Sequence, residues 1–197
     1  MSKGILYVMS GPSGTGKGTV CAELIEKREI HLSVSTTSRN KRAGEVAGVT
    51  YNYTSAENFR EMIDNGELLE WAMYNGNYYG TPKAQIMEML EDGKDVLLEI
   101  EPQGALKVKE EFPETVLIFI IPPSMEILRQ RLTDRGRETA EEIEDRISAA
   151  KWEFMQAAKY NFIVENGDLG KCVSEVSEIM DTCKETRKKV NKLLSNN

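Results

Sequence analysis

The stretch "GPSGTGKGT", residues 11–19, constrains the fold more strongly than any other part of the sequence. It follows the apolar run "GILYVMS" and precedes "VCAELIEK", in which apolar residues recur at helical spacing. A buried strand that turns through glycines into a helix is typical of the first unit of a parallel α/β sheet. Residues 95–100, 115–121 and 161–166 also have the pattern of buried strands, and helical patterns follow the first two. The sequence therefore predicts a three-layer α/β fold around a parallel core sheet.

The glycines and the lysine of residues 11–19 have the properties of a phosphate-binding loop, or P-loop. Backbone N–H groups at the start of a helix, together with the positive end of the helix dipole, point at one spot that suits an anion. Lys17 can bridge the β and γ phosphates of ATP, whereas a glycine turn with only a structural role would not need a lysine. The predicted ATP-binding residues of this loop are Gly11, Pro12, Ser13, Gly14, Thr15, Gly16, Lys17, Gly18 and Thr19.

Gly18 stands where this motif usually has serine or threonine, whose hydroxyl binds Mg²⁺. Magnesium keeps several of its waters when it binds to proteins, so the loss of one hydroxyl ligand is tolerable. We therefore expect Mg²⁺ to be carried by ATP oxygens and water without a direct protein ligand, and Thr19 to meet a phosphate oxygen. The "GKGT" ending resembles that of adenylate kinases and some other nucleoside-monophosphate kinases.

Two segments interrupt the predicted core. Residues 34–81 mix aromatic, alternating strand-like pieces with one short helix, for which Thr54 and Glu57 of "TSAE" are the predicted capping box. We interpret this segment as a small β-rich nucleotide-binding insertion over the C-terminal edge of the sheet. Residues 131–147 are dense in charge and rich in arginine, which predicts a helical lid; a solvated charged helix is the alternative. The core of this single domain is then predicted to comprise residues 1–33, 82–130 and 148–197.

The β-rich insertion carries the side chains for a second phosphate site. We predict that Arg39 and Arg42, with the hydroxyls of Tyr51 and Tyr79, form a clamp for this phosphate, because guanidinium groups pair bidentately with phosphate oxygens. Glu70 would repel that phosphate unless it faced something else. The alternative interpretation is a solvated charged loop with aromatic side chains in the core.

The ordered series of motifs along the chain resembles the guanylate kinase family, which transfers phosphate from ATP to GMP. The series is "GPSGTGKGT", "SVSTTSR..R.GEV.G..Y", "EWA", "NYYGT", "EIEPQG", "PPS", "RLTDRGRET" and "ISAA". The sequence departs from the family where Ser38 replaces the usual threonine and where Glu99 and Glu101 replace the aspartates of "DID". Both changes keep the chemical type.

The resemblance implies a role for each matching residue. Ser35, Glu70 and Thr81 would meet the guanine, Glu101 would lie near the base and ribose, and Asn166 would contact the adenine of ATP. The GMP phosphate would be held by Arg39, Arg42, Tyr51 and Tyr79, with Glu45 orienting the arginines or contacting the nucleotide. Catalysis would rest on Lys17, Arg42, Arg135 and Arg146, acting on ATP, Mg²⁺ and GMP or dGMP.

The chemistry of guanine agrees with this assignment. The base presents two donors, N1–H and N2–H, beside the O6 acceptor, and adenine has the opposite polarity at that edge. Glu70 can accept from both donors while Ser35 or Thr81 donates to O6. Such a site can reject the wrong base by up to ~10⁴, because buried polar groups would be left unmatched.

Composition and charge exclude several other classes of protein. The chain has 197 residues and a net charge of -7, which argues against a surface that coats nucleic acid. The three cysteines, Cys21, Cys172 and Cys183, lack CxxC spacing, which argues against a disulfide framework and a thiolate metal site. His31 is the only histidine, which excludes histidine-based metal sites and a Ser-His-Asp hydrolase. The N-terminus lacks a cleavable signal pattern and no apolar run could span a bilayer, so we expect a cytoplasmic protein without membrane contact.

Two rival functions stay open at this point. Domains that resemble guanylate kinases also serve as interaction modules that hold phosphorylated peptides, although such modules typically lose the phosphate loop. Another nucleoside-monophosphate kinase is the closer rival, and Glu70 with Ser35 and Thr81 argues against it. We further expect a monomer or homodimer whose insertion and lid close over the core when both substrates bind.

Overall fold

The computed structural model describes residues 3–74, 76–136 and 139–194, with the side chain of Tyr74 excepted. Five strands form a core sheet: β1 Leu6–Ser10, β2 His31–Leu32, β7 Val96–Glu99, β8 Val116–Ile121 and β9 Phe162–Glu165. Their order is β2-β7-β1-β8-β9, and every neighbouring pair is parallel. The predicted parallel core sheet is therefore confirmed, with β1 at its centre.

Alternating side chains along β1 separate two hydrophobic cores, one on each face of the sheet. Tyr7 and Met9 pack with helices α1 Lys17–Lys27 and α7 Leu169–Leu194 on one face. The opposite face is covered by α3 Lys83–Glu91 and α4 Pro102–Glu111, which pack against Leu6 and Val8. A strand buried on both faces needs apolar residues at every position, which explains the continuous run in the sequence. The predicted three-layer arrangement is confirmed.

A second, smaller sheet forms between residues 36 and 82. Its strands are β3 Thr36–Thr37, β4 Asn52–Tyr53, β5 Leu68–Tyr74 and β6 Asn77–Pro82, in the order β4-β3-β6-β5. Helix α2 Ala56–Asp64 covers this sheet through Phe59, whose ring stacks on Tyr78 at 5.2 Å. The insertion is thus β-rich as predicted, while its exact boundaries as a unit stay a prediction.

The start of α2 differs from the sequence-based expectation. The predicted capping box of Thr54 and Glu57 is wrong, because Ser55 is the N-cap and its hydroxyl accepts from the backbone N of Asn58 at 3.0 Å. The backbone N of Thr54 donates to Thr37 at 3.0 Å, so Thr54 still belongs to the edge of the small sheet. Strand pairing therefore shifts the beginning of the helix by one residue.

The segment predicted as a helical lid consists of parts of two packed helices. These are α5 Met125–Asp134 and α6 Ala140–Gln156, and a capping box of Thr139 and Glu142 begins the second one. Residues 137 and 138 of the segment lie outside the described residues. The helix pair has its own hydrophobic cluster, formed by Leu128, Leu132, Ile143, Ile147 and Ala150.

A 3₁₀ turn, Ala157–Lys159, leads from α6 into β9. None of the helices in the described ranges is long and apolar enough to cross a membrane.

Candidate active site

The glycine-rich loop lies at the C-terminal end of the central strand β1. Gly16 is the N-cap of α1 and has the left-handed backbone angle φ of 89°. A Cβ atom at this position would lie 2.4 Å from the amide nitrogen of Asn166, and one on Gly11 would lie 2.3 Å from the carbonyl oxygen of Ile120. Both glycines are therefore required by close approach as well as by backbone conformation.

The loop satisfies its own polar groups. The ammonium group of Lys17 donates to the carbonyl oxygens of Gly11 at 2.5 Å and Pro12 at 3.1 Å, and the side chain of Thr15 also donates to Pro12 at 2.9 Å. Lys17 is only 7% exposed, so these bonds replace the water that it loses. Helix α1 has no side-chain cap bond at its N-terminus, and its first N–H groups therefore remain suited to an anion.

Side chains from three other elements brace the loop. The Asn166 side chain, after β9, donates to the carbonyl oxygen of Thr15 at 2.8 Å. Arg131 of α5 donates to the carbonyl oxygen of Asn166 at 2.7 Å, and Arg146 of α6 donates to the hydroxyl of Ser13 at 2.7 Å. The core sheet and the two-helix segment therefore converge on the loop, and the predicted residues Asn166 and Arg146 both lie there.

Arg131 is a site residue that the sequence-based prediction missed. The available signal was its position in the arginine-rich segment, one helical turn before Arg135. Arg135 itself is exposed at the C-terminal end of α5, and its positive charge lowers the pKa of Glu99. The structure thus brings Arg131 and Arg146 onto the loop and leaves Arg135 at its margin.

Glu99 is a second residue that the prediction did not assign to the site. It ends β7 beside Met9 of β1, and a Cβ atom on Gly18 would lie 3.5 Å from each of its carboxylate oxygens. Burial raises the pKa of Glu99, while the nearby charge of Lys17 lowers it. The signal for Glu99 was its place at the C-terminal end of a core strand next to β1, where ligands bind in parallel sheets.

The residues around Gly18 fit a hydrated magnesium ion rather than an ion enclosed by protein. In the parts of the chain that the structure describes, no group of three or more His, Cys, Asp or Glu side chains could hold a metal. The carboxylate of Glu99 faces position 18 and supplies the hard oxygen that Mg²⁺ or its waters prefer. An ion here would need phosphate oxygens to complete its coordination.

The residues predicted to contact guanine lie in one row across the small sheet. Glu70 pairs with Thr81 in the β5–β6 ladder, and β3 pairs with β6 through Thr36 and Gly80. The antiparallel register places residue 35, and so Ser35, opposite Thr81. Two of the predicted base contacts therefore come from the neighbouring strands β5 and β6, and the third, Ser35, immediately precedes β3.

Glu70 is held by its neighbour in this row. The hydroxyl of Thr81 donates to Oε1 of Glu70 at 2.7 Å, and Glu70 is buried, with only 8% of its surface exposed. Burial raises the pKa of Glu70, whereas the Thr81 hydrogen bond and the charge of Lys107 lower it. Glu101 is the N-cap of α4, and its negative charge raises the pKa of both Glu70 and Glu99.

The predicted phosphate clamp is assembled around Glu45. One carboxylate oxygen of Glu45 accepts a hydrogen bond from Arg39 at 2.7 Å. This bond and one from the backbone N of Arg42 hold the pKa of Glu45 at about 2. The guanidinium of Arg39 lies 5.5 Å from the ring centre of Tyr51, which in turn meets the ring of Tyr79 edge-on at 5.9 Å. Four of the predicted residues, Arg39, Glu45, Tyr51 and Tyr79, are thus in contact in one cluster.

The other carboxylate oxygen of Glu45 accepts hydrogen bonds from one predicted site residue, Arg42, and from one that was not predicted, Tyr53. It accepts from the backbone N of Arg42 at 2.8 Å and from the hydroxyl of Tyr53 at 2.8 Å, while Arg42 as a residue remains exposed. Tyr53 was not predicted as a site residue. Its signal was the spacing of two from Tyr51, which puts both rings on the same side of a strand.

Comparison with known proteins identifies the family of the chain. The family model for guanylate kinase matches residues 3–183. The chain is 50% identical to a guanylate kinase of Caldanaerobacter subterraneus subsp. tengcongensis over 190 residues, which are 95% of this chain and 92% of that protein. It is 51% identical to a guanylate kinase of Clostridioides difficile over 183 residues, covering 92% of this chain and 89% of the other.

A solved structure extends the comparison to the fold. The crystal structure of guanylate kinase from Anaplasma phagocytophilum superposes with a TM-score of 0.77 at 34% identity, covering 92% of this chain and 86% of that one. The match confirms the P-loop fold with its inserted small sheet and helical segment as the architecture of the molecule. From its sequence, its fold and the residues around its phosphate loop, the chain belongs to the guanylate kinase family.

Proposed function

We propose that the protein transfers the γ-phosphoryl group of ATP to GMP, and to dGMP, to form ADP and the corresponding diphosphate. The observation that carries the proposal is the buried carboxylate of Glu70, held by Thr81 in the small sheet. A buried hydrogen-bond acceptor needs donors, and guanine supplies two on one edge. The family relationship supports the same reaction.

The guanine base is read by Ser35, immediately before β3, together with Thr81 of β6 and Glu70 of β5. Glu70 accepts from N1–H and N2–H of the base. Because the Thr81 proton is engaged by Glu70 at 2.7 Å, we assign the bond to O6 to the hydroxyl of Ser35. Glu101 contacts the base or ribose from the start of α4. An adenine in this pocket would leave buried polar groups unmatched, which is the basis of a preference of up to ~10⁴.

The phosphate of GMP is bound by Arg39 with the hydroxyls of Tyr51 and Tyr79. Glu45 keeps the guanidinium of Arg39 in place through their 2.7 Å hydrogen bond, so the cation is oriented before the substrate arrives. Arg42, which is exposed beside this cluster, bridges the donor and acceptor phosphates. The phosphate of GMP is already anionic at neutral pH, and no general base is required to activate it.

ATP binds with its phosphates against the N-terminus of α1, and Thr19 meets one of their oxygens. Lys17 exchanges its bonds to the loop carbonyls for bonds to the β and γ phosphates, and Arg135 and Arg146 stabilise the charge on the transferred group. Arg131 and Asn166 hold the loop, and Asn166 also contacts the adenine. Mg²⁺ carried by the ATP phosphates would supply positive charge to the transferred group, and Glu99, whose carboxylate faces position 18, would hold its waters without a ligand from Gly18.

We expect the small sheet and the α5–α6 pair to close over the core when both substrates are bound. The separate hydrophobic cluster of α5 and α6 allows this pair to move as a unit. Closure keeps water away from the transferred phosphoryl group. A bisubstrate analogue should lower the radius of gyration in small-angle scattering, and identical profiles with and without it would contradict this expectation.

The direct test is ADP release from Mg·ATP with GMP, dGMP, AMP, UMP, CMP or dTMP offered separately, using wild type and Lys17→Met. We expect fast turnover with GMP and dGMP alone, abolished in the variant. Preference for another monophosphate would still support a nucleoside-monophosphate kinase but would overturn the assignment of Glu70 to guanine recognition. No turnover with any acceptor, combined with binding of GMP or a phosphopeptide, would favour an interaction module.

A further inference from the structure

Gly104, in the first turn of α4, lies directly against the carboxylate of Glu70. The residue is buried, and a Cβ atom on it would lie 2.5 Å from Oε2 and 3.0 Å from Cδ of Glu70. Real Cβ atoms essentially never approach other atoms to 2.5 Å. Any side chain at position 104 would therefore displace the Glu70 carboxylate or shift the helix.

The backbone gives no other reason for a glycine at this position. Gly104 belongs to a helix, where alanine is preferred over glycine by about 0.5–1 kcal/mol. It contrasts with Gly16, whose left-handed φ of 89° itself favours glycine. Glycine at position 104 is thus explained by the close approach of the Glu70 carboxylate, for which a side chain would leave no room.

The Glu70 carboxylate is consequently held from two sides. Thr81 donates to Oε1 at 2.7 Å, and the first turn of α4 lies against Oε2. Glu101, the N-cap of α4, makes no side-chain cap bond, and Pro102 begins the helix. The partial positive charge at this helix end favours the ionised carboxylate, which opposes the effect of burial.

We propose that Gly104 is a positioning residue for base recognition, because its missing side chain sets the place of the Glu70 carboxylate between Thr81 and the start of α4. The inference rests on the proposed function, in which Glu70 reads guanine. Gly104 itself lies against the Glu70 carboxylate and does not contact the base. Gly104→Ala should displace the carboxylate and weaken both of its bonds to guanine.

The experiment is a double-mutant cycle of Gly104→Ala, Glu70→Ala and the combined variant. The readouts are the Kd for GMP by calorimetry, kcat/KM with GMP and with AMP, and KM for ATP. Where Glu70 is present, Gly104→Ala should raise the Kd for GMP by about 10-fold to 100-fold, because both hydrogen bonds from guanine to a buried, charged acceptor are weakened. In the Glu70→Ala background the same change should alter the Kd by less than about twofold, because no carboxylate remains to be displaced.

Matched measurements separate this role from a general defect. Gln103→Ala changes the exposed neighbour in the same helical turn and should leave the Kd for GMP unchanged. KM for ATP should be the same in Gly104→Ala and wild type, since the phosphate loop is untouched. If Gly104→Ala prevents folding, the double variant decides: recovery of folding supports the contact with Glu70, and continued misfolding overturns it.

The outcomes also separate this inference from the proposed function. A Gly104→Ala protein with wild-type affinity for GMP overturns the inference, while a loss of GMP preference in Glu70→Ala still supports the base assignment. Equal losses from Gly104→Ala in both backgrounds also overturn it, because they would report a defect unrelated to Glu70. Full GMP preference in Glu70→Ala would overturn the assignment of Glu70 as the base-reading residue, and with it this inference. Absence of GMP phosphorylation by the wild type would overturn the proposed function itself.

Discussion

The phosphate loop and the small inserted sheet, which in the proposed reaction bind ATP and GMP respectively, are built in opposite ways. In the loop, Lys17 and Thr15 bond to carbonyl oxygens only a few positions away in the chain. In the small sheet, Ser35, Glu70 and Thr81 are brought together by strand register over a much longer stretch of sequence. The loop is therefore a local structure, and the base row exists only when the sheet is paired.

The two regions also differ in how their charges are balanced. Lys17 is buried and satisfied by backbone carbonyls, which cannot titrate or move independently. Arg39 is satisfied by Glu45, a side chain that itself depends on Tyr53 and the backbone of Arg42. Changes in the loop should therefore affect the chemical step, and changes in the small sheet should affect the binding of GMP.

The largest effect is expected from Lys17→Met, which removes the cation that acts on the transferred group. We expect kcat to fall by about 10²–10³ or more, with little change in the affinity for GMP. Steady-state ADP release checks this, with Lys27→Met at the other end of α1 as the control. A kcat within tenfold of wild type would contradict the role of Lys17.

A comparison of glycines tests how tightly each region is packed. Gly16 and Gly44 have φ of 89° and 83°, but Gly16 faces Asn166 while nothing lies within 4 Å of a Cβ atom on Gly44. Gly44→Ala should cost about 1–2 kcal/mol of unfolding free energy through backbone strain alone. Gly16→Ala should cost roughly 3 kcal/mol because a steric clash is added. Urea unfolding measures both, and equal losses would show that packing around the loop is not the difference.

Glu45→Gln tests whether side-chain pairing in the small sheet serves GMP alone. Loss of the charge that holds Arg39 should raise KM for GMP about tenfold and leave KM for ATP unchanged. Glu61→Gln, an exposed position on α2, is the control. Parallel increases in KM for GMP and KM for ATP would mean that Glu45 contributes to the stability of the whole fold and not to GMP binding in particular.

The smallest effect is a difference in pH dependence between two carboxylates of the small sheet. Burial raises the pKa of Glu70, whereas Arg39 and the backbone of Arg42 hold that of Glu45 at about 2. As the pH falls from 8 to 5.5, Glu70 gains a proton earlier than an ordinary glutamate and loses its capacity to accept both guanine donors. Glu45 stays ionised throughout this range.

The ratio of kcat/KM for wild type to that for Glu70→Gln should therefore fall a few-fold between pH 8 and pH 5.5. The ratio of wild type to Glu45→Gln should stay constant over the same range. The titration of the GMP phosphate is common to all three proteins and cancels in both ratios. A constant ratio for Glu70→Gln would contradict the assignment of a titrating, base-reading carboxylate.

The sequence anticipated most of the fold and part of the site. The apolar runs predicted the core strands, because a strand buried on both faces must be apolar throughout. It did not reveal Arg131, Tyr53, Glu99 or Gly104, whose importance comes from what lies beside them in space. The predicted cap of Thr54 and Glu57 was wrong because the backbone hydrogen bond from Thr54 to the carbonyl oxygen of Thr37 outweighed a local preference.

The sequence by itself determined the phosphate loop, since the conformations of its glycines and the reach of Lys17 are properties of a few adjacent residues. Tertiary structure alone decided that Thr81 orients Glu70, that Gly104 makes room for its carboxylate, and that Asn166 and Arg131 brace the loop. Short-range rules act along the chain through steric and hydrogen-bond preferences of neighbouring residues. Register and packing join residues far apart in sequence, and their energies depend on the complete arrangement of strands and helices.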